Sequence, residues 1–173
     1  RVMGSFGFLL QHKGQLELVE AFERLPGWDK LLLLCATIER SGKMEAKINS
    51  LIEKKGLTGR VKLVTDFLDD DVVIASLAKC DLLVFPYQNT KESASGAVRM
   101  GVAAGVPLAV TPIPIFDDVT GAIRMRGGTV DDIVASVSKI SQDELDSSRK
   151  SMVELRDSLQ WDEVAKRIQT LLK

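Results

Sequence analysis

Lys13 and Glu92 are the two charged side chains in this sequence best placed to do chemistry, and small residues surround both. Lys13 is followed by Gly14 and sits in a loop between an apolar segment, Val2–Leu9, and a helical pattern beginning at Gln15. Glu92 opens the run Glu92-Ser93-Ala94-Ser95-Gly96. That run follows a strand-like segment, Asp81–Phe85, and a polar loop, Pro86–Lys91, and leads into a helix expected over roughly Ser93–Ala104. Gly105 is the expected helix stop, and Val106–Val110 reads as another buried strand. A strand–loop–helix with an acid and small residues at its mouth presents backbone N–H groups where an anion or a sugar could sit. That crevice is the expected functional site.

The elements that must position these residues alternate along the chain. Apolar or β-type runs at Val2–Leu9, Lys30–Ala36, Val61–Val64, Asp81–Phe85 and Val106–Val110 read as strands. The run Lys30–Ala36 is apolar after its first residue, which marks a strand buried on both faces. Helical spacing appears in Gln15–Leu25, stopped by Pro26-Gly27, in Lys43–Lys55, stopped by Gly56, and in Asp70–Ala78. The acids Asp69–Asp71 suit the start of that third helix, by capping and by their charge near the positive end of its dipole. Strands separated by helices predict an α/β fold: a Rossmann-like, doubly wound parallel sheet with right-handed crossovers and helices on both faces. Beyond the connector Pro112-Ile113-Pro114, one more short strand is expected around Ala122–Met125. Helices over Val130–Ile140, Gln142–Leu159 and Trp161–Leu172 then form a helical tail.

Composition narrows the function classes. A chain of 173 residues, 45% hydrophobic and 27% charged, is expected to form one domain with a substantial core. Its net charge of −1 argues against a nucleic-acid binder, which normally carries a basic face. Cys35 and Cys80 each end or follow an apolar run and read as small buried residues rather than a disulfide framework, so a reducing, cytoplasmic setting is expected. No apolar run approaches the roughly 20 residues that span a bilayer. Arg1 opens directly on a strand-like segment with no initiator Met, as expected of a piece of a longer chain.

The order of elements, the His12-Lys13-Gly14 turn and the run ESASGAVRMGVAAGVP together resemble the C-terminal, donor-binding half of group 1 glycosyltransferases. The terminal WDEVAKRIQTLL also resembles that family's last helix, so the likeness covers nearly the whole chain. The resemblance implies the C-terminal half of a GT-B fold, in which two Rossmann-like domains enclose the active site. It further implies retaining transfer of a sugar from a nucleotide-sugar donor to a glycan or lipid-linked acceptor. The acceptor side would lie on an N-terminal domain absent here, and the parent protein could associate peripherally with a membrane. No cofactor or metal is implied, since the donor is the substrate. The family's first loop reads Gly-Arg, four residues, Lys-Gly; here Gly7, Phe8, Lys13 and Gly14 stand in those places. Its site motif has a second Glu where Met100 stands.

Residue roles follow from the resemblance, each with a plainer alternative. Lys13 would neutralise a leaving diphosphate; otherwise it is a solvated lysine. Glu92 would accept hydrogen bonds from donor-sugar hydroxyls; otherwise it serves the helix N-terminus by its charge. Ser93, Ala94, Ser95 and Gly96 would let substrate approach their backbone N–H groups, or would let the helix pack tightly on the sheet. Gly7, Gly14 and Met100 complete the binding set, with Met100 on one helical line with Gly96. Phe67 and Leu68, after Asp66, match the loop that contacts the nucleotide base, or form an ordinary strand-to-helix turn. Arg99 would replace the cation missing at Phe8, or pair with a neighbouring acid. His12, the single histidine, finds no partner at metal-ligand spacing. Asp117 and Asp118 are expected to cap a turn, and Trp28 and Trp161 to pack. Two readings from other classes remain beside the enzyme: a degenerate, non-catalytic module in a larger polysaccharide-synthesis protein, and another phosphate- or nucleotide-binding α/β protein.

Overall fold

A computed structural model describes residues 1–38, 42–90 and 92–172; Lys91, the last residue of the expected polar loop, lies outside these. The apolar runs form β1 (Val2–Phe8), β2 (Lys30–Ala36), β3 (Val61–Val64), β4 (Leu82–Phe85) and β5 (Leu108–Val110). The expected short strand is present as β6 (Ile123–Arg124). They make one sheet in the order β3-β2-β1-β4-β5-β6, with every pairing parallel. β1 and β2 pair along their whole lengths, from Val2 opposite Lys30 to Phe8 opposite Ala36.

Side-chain alternation along these strands divides the core in two. On one face lie Leu31, Leu33 and Cys35 of β2 with Leu82 and Val84 of β4, under α1 (Gln15–Phe22), α2 (Lys43–Lys54) and α5 (Val130–Val137). On the other lie Leu34, Leu83 and Phe85, under α3 (Asp70–Leu77), α4 (Gly96–Ala104) and part of α6 (Gln142–Ser158). Sheets covered on both faces need strands apolar on both faces, which is why β2 and β4 read as continuous runs rather than alternating ones.

The chain leaves β1 toward β2 and β3, then returns to place β4 on the other side of β1. The carboxyl ends of β1 and β4 therefore diverge into loops running to opposite sides, and a crevice opens between them. Both cysteines are free and buried, and burial pushes the Cys35 thiol up to about 12 and the Cys80 thiol to about 11, so neither is a ready nucleophile.

Several local expectations are corrected; α5 ends at Val137 rather than Ile140, and β5 begins at Leu108 rather than Val106. α4 begins at Gly96 rather than Ser93, because Ser95 stands outside the helix as its N-cap and accepts a hydrogen bond from Val98 N. α1 ends at Phe22, three residues short of Leu25, which is buried in the turn that follows. Asp69 is the N-cap of α3 by backbone conformation, yet its side chain makes no capping hydrogen bond. Trp28 is buried as expected, with the Arg1 guanidinium over its ring, but Trp161 is 86% exposed. It begins α7 (Trp161–Leu171), a helix with no buried residue, so its amphipathic pattern has no partner within the described chain.

Candidate functional site

Two loops meet at the switch point, one from β1 and one from β4. After β1 the chain makes a single 3-10 turn over Gln11–Lys13, and Gly14 then starts α1 with φ +73°. A Cβ on Gly14 would lie 2.1 Å from the carbonyl oxygen of Pro86, so only glycine lets the first loop rest on the second. Gln88 N donates to His12 O at 2.7 Å and joins the loops further along.

This contact buries Lys13, which is 7% exposed, and so excludes the reading of a solvated surface lysine. Its Nζ donates to Glu92 Oε2 at 2.6 Å, and the same ammonium lies 4.1 Å from the ring centroid of Tyr87. Glu92 Oε1 is 3.2 Å from His12 Nε2. The Lys13 hydrogen bond, aided by the charge of Lys13 and by His12, holds the Glu92 carboxyl below the usual carboxylate range. Glu92 precedes Gly96, the first residue of α4, by four positions, so it is not a first-turn acid of that helix. A salt bridge across 79 residues of sequence takes the place of that local role.

The N-terminus of α4 completes the site. The first N–H groups of a helix have no partner inside it. Ser95 satisfies that of Val98. Gly96 has open space where a Cβ would stand, whereas a Cβ on Gly101 would press on Leu108 at 2.9 Å and Leu83 at 3.1 Å. The small residues of this helix thus divide between two uses: Gly101 packs on the sheet, and Gly96 leaves the helix start accessible.

Lys13, Glu92, Ala94, Ser95 and Gly96 form the polar and small-residue part of the lining of a cleft of about 360 Å³, within the usual range for small-ligand sites. Gly7, Phe67, Leu68 and Met100 line the remainder, with Phe8 and the acids Asp66 and Asp70. Phe67 is 83% exposed and Phe8 42%, large apolar surface at the rim. Ser93, Gly14 and Arg99 are not among the lining residues. Ser93 is exposed beside the cleft mouth, Gly14 acts behind it by the loop contact, and the Arg99 guanidinium pairs with Asp118. The neighbouring acid therefore holds Arg99 outside the cleft lining.

Tyr87 is the site residue that sequence reasoning missed. The signal was available: it is the only tyrosine in the chain and stands two residues beyond the end of β4. Its hydroxyl is 3.0 Å from Ser95 Oγ, and its ring packs on Phe116 with centroids 5.0 Å apart. Among the described residues no three His, Cys, Asp or Glu side chains cluster as metal ligands, and no helix is long and apolar enough to cross a membrane.

A cleft with a buried lysine, a depressed carboxyl and an open helix N-terminus can hold an anion beside a polyhydroxyl group. Comparison with known proteins agrees with the architecture. The sequence pattern described as "Glycosyl transferases group 1" matches residues 1–157. Among solved structures, Alr3699/HepE of Anabaena in complex with UDP and glucose superposes with a TM-score of 0.81 at 17% identity, over 99% of this chain and 47% of that one. Sucrose-phosphate synthase of Thermosynechococcus elongatus gives 0.80 at 16%, over 99% and 44%. The C-terminal domain of a group 1 glycosyl transferase, LpcC, of Francisella tularensis gives 0.77 at 13%, over 91% of this chain and 85% of that domain. This chain thus spans about half the length of the first two. No curated protein matches it.

Proposed function

The chain belongs to the group 1 glycosyl transferases, and from that premise we propose that its cleft binds the activated donor, a nucleotide sugar, for retaining transfer to a glycan or lipid-linked acceptor. A domain outside this chain would present the acceptor, in the cytoplasm or at the inner face of a membrane. The observation that carries the reading is the convergence of Lys13, Glu92 and the α4 N-terminus in one cleft at the carboxyl ends of the strands. The solved Anabaena structure with UDP and glucose supports a donor of this class.

Lys13 and Glu92 satisfy each other in this structure. A donor would separate them and offer each a better partner: the ammonium meets the diphosphate, and the carboxylate accepts from sugar hydroxyls. As the glycosyl bond breaks, negative charge grows on the departing phosphate oxygen. Lys13 and the N–H groups that open α4 would face that charge and stabilise it more than the ground state. The departing oxygen then takes the acceptor hydroxyl's proton on the same face, and the protein's work is positioning and charge stabilisation. Phe67 and Leu68 would offer the nucleoside an apolar rim.

Titration calorimetry of the 173-residue chain with UDP, UDP-glucose and other nucleoside diphosphates and their sugars tests this reading. Lys13→Ala should weaken both forms about tenfold or more, as expected for loss of a charge-assisted bond. Glu92→Ala should weaken only the sugar-bearing form, and Arg99→Ala should change neither. Absence of binding by the wild-type chain at millimolar ligand overturns the reading. The non-catalytic module would then stand, a reading favoured by one observation: Phe8 and Met100 make apolar two lining positions where the family pattern has Arg and Glu.

A further inference from the structure

Tyr87 touches both halves of the site without lining the cleft. Pro86 and Tyr87 leave β4 at its carboxyl end, and five contacts fix the tyrosine there. Its ring packs against Phe85, centroids 6.2 Å apart at 73°, and against Phe116. Its carbonyl accepts from Thr111 Oγ1 at 2.9 Å, which fastens the loop to the end of β5. Its hydroxyl meets Ser95 Oγ at 3.0 Å, and that oxygen also accepts from Val98 N as the α4 cap. The ring face meets the Lys13 ammonium at 4.1 Å. Burial pushes the phenol up to about 12, so at working pH it is a neutral hydrogen-bonding group and not a base.

Lys13 makes one hydrogen bond that must break when a ligand arrives, the one to Glu92. An ammonium released from its carboxylate would otherwise recover the freedom of a four-carbon side chain and lose its aim. A ring face holds a cation without consuming any of its N–H donors, so it remains a partner whichever anion the donors face. We infer that Tyr87 is the positioning residue of this site: its ring seats the Lys13 ammonium and its hydroxyl holds the Ser95 cap, so that cation and helix N-terminus stay in register while Lys13 exchanges Glu92 for a diphosphate. The inference rests on the donor reading above for the ligand, but the seating of Lys13 is a property of the chain alone.

The test therefore has one arm that needs no ligand. In protein carrying 13C-labelled lysine, with the Lys13 signal assigned by Lys13→Arg, the ε-methylene protons should be shifted upfield by the Tyr87 ring current. Tyr87→Phe should retain that shift, and Tyr87→Met should abolish it and raise the reactivity of Lys13 toward an amine acylating reagent about fivefold or more. A Lys13 signal at the ordinary lysine position in the wild-type chain overturns the inference, and this measurement stands even if Tyr87→Met does not fold. In the second arm inorganic pyrophosphate is titrated. The upfield shift should persist at saturation, with Tyr87→Phe weakened about threefold through loss of the Ser95 contact and Tyr87→Met weakened about tenfold, the range expected for a desolvated cation–π contact. Loss of the shift on saturation shows that the ring does not hold the ammonium during exchange, and overturns the positioning role. An upfield Lys13 in a chain that binds neither pyrophosphate nor any nucleotide leaves the seating established and removes the donor reading instead.

Discussion

The two ends of the cleft are built on opposite principles. At one, Lys13, Glu92 and Ser95 of the lining join His12 and Tyr87 behind it in a connected set in which every side chain has a partner. At the other, Phe8, Phe67 and Met100 offer apolar surface, and the first two are substantially exposed. The polar part is held by the chain's own contacts, so much of the cost of ordering its side chains is met during folding, leaving the Lys13–Glu92 exchange for binding. The apolar end gains its stabilisation only when something covers it, since the hydrophobic contribution follows area removed from water. Lys13 and Glu92 thus supply directional recognition of charge, while Phe8, Phe67 and Met100 add apolar area beside Asp66 and Asp70.

The largest expected effect comes from removing the contact on which the polar end stands. Gly14→Ala forces a side chain into left-handed backbone and onto the Pro86 carbonyl, so both loops must shift. A loss of about 3 kcal/mol in urea unfolding is expected, from the conformational cost and the overpacking together. A chain of unchanged stability would show that the loops yield readily, and the claim of preorganisation would fail.

A double change, Phe8→Arg with Met100→Glu, weakens the contrast between the ends by replacing two apolar lining residues with charged ones. If the cleft takes a nucleoside diphosphate, calorimetry at low salt should show affinity rising about tenfold, with a steeper fall as salt is added. Unchanged affinity would mean that the apolar half faces no polar part of the ligand.

The smallest effect concerns Glu92 and pH. Its carboxyl is lower in the folded chain than in the unfolded one, because of Lys13 first, so its contribution is present above the ordinary carboxylate range. That contribution disappears as pH falls through the lowered value. Glu92→Gln should therefore flatten this part of the stability–pH profile at its acidic end. With the Glu92 side chain 39% exposed and screened by solvent, the difference is expected to be only about 0.5 kcal/mol. A wild-type profile already as flat as the variant's would remove the Lys13 pair as the cause.

Much of the architecture was legible because strands and helices declare themselves locally. The run Lys30–Ala36 matches β2 end to end, and Gly105 ends α4 in the left-handed conformation expected of it. Local signals failed where two residues competed for one task. Ser93 and Ser95 both suit a helix start, and the Ser95 contacts to Tyr87 and Val98 decide between them. Trp161 misled for a related reason, since an amphipathic pattern states that a face can be covered without stating what covers it.

The amino-acid sequence by itself determined the α/β alternation, the parallel sheet and the residue types at the mouth of α4, because apolar period, glycine and proline act within a few residues of themselves. Tertiary structure alone decided that Lys13 would meet Glu92, that Arg99 would turn to Asp118, and that Tyr87 would stand between the loops. Those pairings join residues from 19 to 79 positions apart. The contacts of Lys13 exist because the strand order reverses beside β1 and brings two loop ends together, and the Arg99 pair because α4 packs beside the turn after β5; both follow from the whole chain's packing, which no local pattern encodes.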